Sequence, residues 1–152
     1  MKIAPVAIVA AFASLYIAAP LPTFAESDGK WSCKLNDAEW KNDKGGASLN
    51  AGQLSIYSGD DRIDGIFIMM SKAPAMGSFS LNDSAQASFS DAAGANHKSK
   101  AGSGTLVISK FLPPQGETKG KLEGTFSAEF ESGASKQLAL KDCSFSLPVK
   151  NL

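Results

Sequence analysis

Histidine occurs once in this chain and cysteine twice, and both scarcities exclude chemistry. One histidine, His97, leaves no material for a zinc site built on several imidazoles, and any Ser-His-Asp arrangement would have to run through that residue alone. Two cysteines 110 positions apart, Cys33 and Cys143, rule out a CxxC redox pair. No block of like charge is present. Fifteen basic residues balance fifteen acidic ones, so the concentrated positive charge that carries nucleic-acid binding is missing. Helical periodicity is nearly absent, and beyond residue 25 no apolar run approaches membrane-spanning length.

The first 25 residues differ from the rest. Lys2 is their only charge, Ile3 to Ala19 is apolar, and small residues stand at Thr23 and Ala25 before Glu26. A positive start, an apolar stretch and small side chains at −3 and −1 describe a secretory signal peptide. The expected organisation is a signal peptide over 1–25 and a single domain over 26–152. Losing Lys2 leaves 14 basic against 15 acidic residues, a charge near −1. The implied localisation is extracytoplasmic, in the periplasm or the medium. The residue directly after Ala25 is Glu26 and not cysteine, which argues against a bacterial lipid anchor.

Alternation with period two runs through the remaining chain and marks strands with one buried face. In KLEGTFSAEFES, Leu122, Gly124, Phe126, Ala128 and Phe130 share one side, while Glu123, Thr125, Ser127, Glu129 and Glu131 share the other. Trp31, Cys33 and Leu35 alternate in the same way, as do Leu54 with Ile56, Phe79 with Leu81, Leu106 with Ile108, and Cys143 with Phe145, Leu147 and Val149. Ile66 to Met70 is apolar on both faces, and the pattern predicts a central strand covered on both sides. Asn36-Asp37 predicts a tight hairpin turn, and Asn82-Asp83-Ser84 a further turn. Asp91 to Gly104 and Pro113 to Gly120 read as longer loops. About eight to ten short strands with Gly, Pro and Asn turns predict an all-β fold, a single antiparallel β-sandwich or flattened barrel.

Both cysteines fall on apolar strand faces. In an exported chain this predicts a Cys33–Cys143 disulfide, which places the N- and C-terminal strands side by side. The remaining chemistry-bearing residues read as structural. His97 sits in a polar loop with no acidic residue between Ala92 and Gly104. Asp60, Asp61 and Asp64 cluster around Arg62 without EF-hand spacing. Glu123, Glu129 and Glu131 line a wet strand face and lack the apolar pocket that would keep a catalytic carboxylic acid protonated. No catalytic, cofactor-binding or metal-binding residue is assigned. Among the aromatic residues, Trp40, flanked by Glu39 and Lys41, is the candidate for ligand contact. Asn82-Asp83-Ser84 also fits a glycosylation sequon.

CKLNDAEWK resembles the opening hairpin, x-x-x-G-x-x-W/F, of an uncharacterised family of small exported bacterial β domains, many of them lipoproteins. GSFSL followed by AQASFSD is similar to that family's G-T-Y-x-L and A-x-Y pair. GSGTLVISKF, KLEGTFSAEF and LKDCSFSLPV resemble its later strands. The likeness spans most of Ser32 to Val149. This chain departs from the pattern at Asn36-Asp37, where Asp-Gly is favoured, at Cys143, where glycine is favoured, and in lacking a lipobox. The resemblance implies an all-β extracytoplasmic domain and brings no activity or site residue with it. The expected function is a non-enzymatic exported domain that binds a protein or cell-envelope component, needs no cofactor, and has no membrane span once the leader is gone. The alternatives are a small apolar-ligand carrier of barrel type and a secreted inhibitor or immunity-type protein presenting the 91–104 loop.

Overall fold

Asn36 (φ 48°) and Asp37 (φ 70°) occupy the left-handed region in succession, the backbone of a type I′ hairpin turn. They join β1 (Lys30–Leu35) to β2 (Ala38–Asn42), with Cys33 opposite Trp40. The computed structural model describes residues 29–59, 64–131 and 137–152, so the expected leader and the Asp60-Asp61 pair lie outside the described residues. The other strands are β3 (Gly45–Asn50), β4 (Gln53–Ser58), β5 (Gly65–Met70), β6 (Gly77–Ser80), β7 (Ala85–Ser90), β8 (Asn96–Leu112), β9 (Gly120–Phe130) and β10 (Leu138–Asn151).

Their pairings close on themselves. From β10 the wall runs through β3, β4, β5, β7, β8 and β9, and β9 pairs back onto β10. The β1–β2 hairpin pairs with the first half of β10, and β6 with the second half of β8. The N- and C-terminal strands are therefore neighbours, and the architecture is a flattened barrel with two short flanking additions. One pairing departs from the antiparallel expectation: β10 meets β3 in parallel through Val149–Ala47, Lys150–Ser48 and Asn151–Leu49. That short contact closes the ring and leaves those seven strands without a long open edge.

The period-two pattern maps onto the barrel wall. Leu122, Gly124, Phe126, Ala128 and Phe130 of β9 all face inward and are buried. Gly124 is required by close approach: a Cβ there would strike the Val107 carbonyl oxygen and come within 2.7 Å of the Phe145 ring. On β10, Leu140 and Cys143 are three apart yet both buried. A β-bulge at Lys141-Asp142, with Asp142 at φ 49°, absorbs the extra residue and restores the alternation. Lys34 Nζ donates to Asp142 Oδ2 at 2.9 Å across that bulge.

Two sequence expectations change. Asp91 to Gly104 is not a long loop. The turn is confined to Asp91–Ala95, β8 begins at Asn96, and Ser99 is buried, with its hydroxyl accepting from the Ala87 N–H (3.4 Å). The stretch is rich in Gly, Ala and Ser because it crosses a register irregularity between Ser99 and Gly104, where small residues fit. Strand β5 is covered on one face only: Ile66, Ile68 and Met70 are in the core, whereas Phe67 and Met69 are half-buried on the outer wall.

Candidate functional site

The cysteines predicted to pair do so. Cys33 and Cys143 form a disulfide between β1 and β10, with Cα atoms 4.0 Å apart. The bond sits beside the bulge, next to Phe145, whose ring lies 4.9 Å from that of Trp31. Trp40 is also inside: it is 8% exposed, packs edge-on to Phe89 at 6.4 Å, and its indole N–H donates to Asp64 Oδ1 at 3.3 Å. Folded over one end of the barrel, it offers little surface to a ligand and has a packing role.

His97 has an acidic partner in Asp91, one residue before Ala92. Its Nε2 lies 3.1 Å from Asp91 Oδ2, while Asp91 Oδ1 accepts from the N–H groups of Ala93 (3.0 Å) and Ala95 (2.9 Å). The hydrogen bond from His97, reinforced by those backbone donors, holds the Asp91 carboxyl below its ordinary value. This arrangement ties the two ends of the β7–β8 turn together. Glu123 is paired with Lys121, which lowers its pKa, and Glu129 lies 4.0 Å from Lys100. Asn82, at φ 70°, uses its amide to donate to the Lys100 carbonyl (3.1 Å) and accepts from Ser99 Oγ (3.3 Å). Among the described residues, no group of three or more His, Cys, Asp or Glu side chains is placed to hold a metal ion.

Inward-facing aromatic rings therefore build the core, and the surface question passes to those that face out. Among the described aromatic residues, Tyr57 and Phe67 alone stay outside the core cluster; even the half-buried Phe79 and Phe111 pack against it. Tyr57 and Phe67 are direct cross-strand neighbours on β4 and β5. Their row continues across the wall as Gly46, Tyr57, Phe67, Ser88 and Lys98. The adjacent row is Ser48, Ser55, Met69 and Gln86. Gly46 makes room for the phenol: a Cβ there would come within 2.8 Å of the Tyr57 hydroxyl oxygen, so the ring leans over β3 and widens the apolar surface. The result is a sheet face with two rings and a thioether at its centre and hydroxyls, an amide and a lysine around them. The sequence signal for it was the doubly apolar Ile66–Met70 run, whose second face proves to be this surface.

The opposite outer wall has another character. A row of Val107, Thr125, Ser144, Ser32 and Lys41 crosses β8, β9, β10, β1 and β2. An open groove of about 400 Å³ lies along β1, β2 and β10, and another of about 370 Å³ along β8, β9 and β10. Both are open to the exterior; the first is lined by serines with Lys30, Lys41 and Asp43, and half the lining of the second is serine and threonine. Comparison with protein-family models, curated proteins and solved structures yields no match to this chain.

Proposed function

We propose that this chain is an exported, non-enzymatic β domain that binds a protein or cell-envelope component through the Tyr57–Phe67 wall. The observation that carries the reading is the placement of these two rings. Every other described aromatic residue joins the core, while these two stand side by side on an outer face edged with polar groups. Aromatic rings with hydrogen-bonding neighbours are what binding surfaces concentrate, since two torsions hold a large contact area at low entropic cost. Export is supported by the leader-like residues 1–25, by the disulfide, and by the resemblance to exported bacterial β domains.

The carrier reading draws less support. It needs a lumen, and the inward side chains, among them Trp31, Phe89, Phe126 and Phe145, are 1–4% exposed and form one packed cluster. The inhibitor reading relied on a protruding 91–104 loop, and most of that stretch is strand. The test is retention on washed envelope fractions of the source cell. Replacing Tyr57 and Phe67 by serine, one at a time, is expected to weaken binding about thirtyfold each, the loss typical of a hot-spot residue. The fold should persist, because neither ring belongs to the core. Unchanged retention by the folded double variant overturns the assignment of this wall.

A further inference from the structure

The barrel has two unlike ends. The β3–β4 turn, the Ser71–Met76 and Pro113–Lys119 loops and the end of β10 gather at one of them, as strand directions and registers require. The tip of the β1–β2 hairpin, the Ser58 end of β4, the Gly65 end of β5 and the β7–β8 turn lie at the other. The described residues include three exposed large hydrophobic side chains, and all three belong to the first end: Met76 (70% exposed), Leu112 (51%) and Leu152 (82%). They come from three separate segments, so no single strand pattern produced them. Exposed Ala73, Ala75 and Pro113 stand beside them in the same loops.

Charge at this end leans positive. Lys72, Lys110, Lys119 and Lys150 are exposed, with Lys119 engaged within the protein and Lys110 opposite Glu123 across the β8–β9 ladder, while Lys121 is half-buried and paired with Glu123. Asp83, Glu117 and Glu123 are the acidic side chains there, and Leu152 ends this chain with an α-carboxylate. Five lysines thus stand around the apolar tips against four carboxylates. Scattered single hydrophobic side chains on a protein surface need no explanation, but their confinement to one lysine-rimmed end does. Apolar tips that reach below the headgroups, with ammonium groups level with them, are how a protein lies on an anionic bilayer without crossing it.

We infer that this end of the barrel is a docking surface for an anionic lipid membrane, with Met76, Leu112 and Leu152 entering the headgroup region and the surrounding lysines meeting the lipid phosphates. The inference does not rest on the Tyr57–Phe67 wall: that face runs along the barrel side and stays accessible when the end is seated on a bilayer.

Oxidation of Met76 by dilute peroxide, read by peptide mass spectrometry on the full chain, reports this contact locally, and membrane binding by residues 1–25 would not by itself bury Met76. With vesicles of equal parts phosphatidylcholine and phosphatidylglycerol, Met76 should oxidise several-fold more slowly than in buffer. The protection should disappear with phosphatidylcholine alone and at high salt, where exposed charges are screened. Lys72→Gln and Lys150→Gln should each weaken the protection about fivefold in lipid titration, whereas Lys34→Gln and Lys141→Gln at the far end should leave it unchanged. Equal oxidation with and without anionic vesicles overturns the proposal. So does protection that grows with protein concentration in the absence of lipid, which would make this end a contact between two copies of the chain.

Discussion

Cys33 and Cys143 show how a single residue pair can carry information of two kinds. Their alternation with apolar neighbours places both on the inward face, and their separation of 110 residues means that one bond restrains almost the whole described chain. In the chain-entropy account such a loop is worth about 4–5 kcal/mol. The Cys33→Ser, Cys143→Ser variant should therefore unfold at markedly lower urea, with a free-energy loss of that order and an altered slope as its denatured state expands. A loss below about 1 kcal/mol would mean that strand packing alone holds β1 on β10. Trp40 carries the opposite lesson. Flanked by Glu39 and Lys41 it is the candidate for ligand contact in the sequence, but alternation puts both charges on the outer face and the indole on the inner one.

At the scale of elements, turns and bulges decide register. The Asn36-Asp37 turn is tied to β10 by a reciprocal pair: the Asn36 N–H donates to the Ala139 carbonyl, and the Ala139 N–H donates to Asn36 Oδ1, both at 2.9 Å. The β7–β8 turn depends on Asp91, and its contribution is pH-dependent. Hydrogen bonds from His97, Ala95 and Ala93 favour the ionised carboxylate in the folded state, so its pKa there lies below the ordinary 3.8. The stability it supplies is present in full above the ordinary value and is lost as pH falls through the lower folded value. Thermal unfolding of Asp91→Asn should accordingly run below wild type by a constant margin near neutral pH, and that margin should narrow below about pH 4. A margin that stays constant to pH 2 would remove the ionised carboxylate from the account. The bulge at Lys141-Asp142 was not readable from spacing. A period-two pattern read forward from Leu140 puts Cys143 on the wrong face, and it takes the pairing with β1 and β9 to show where the extra residue goes.

At the scale of the molecule, closure is the decisive feature. The ring is completed by the short parallel contact between β10 and β3, and Val149, fully buried, opens that contact opposite Ala47. Val149→Asp places an unpaired carboxylate there and should cost more than about 3 kcal/mol, enough to broaden or abolish cooperative unfolding followed by circular dichroism. If the variant unfolds as wild type does, the closing contact is not a support of the fold. Most of the strands, the opening turn and the adjacency of the two terminal strands were legible in the sequence, because alternation and turn chemistry are local and a disulfide leaves two cysteines to be found; the first half of β8, poor in large apolar side chains, read instead as a loop. What only the tertiary structure decided is non-local. It chose a closed barrel with one parallel seam, turned the second face of Ile66–Met70 outward as an aromatic wall, and brought Met76, Leu112 and Leu152 to one lysine-rimmed end. The reason is physical: period two says which residues share a face of one strand, while the neighbour that covers a face, or leaves it bare, is set by how the sheet curls and closes.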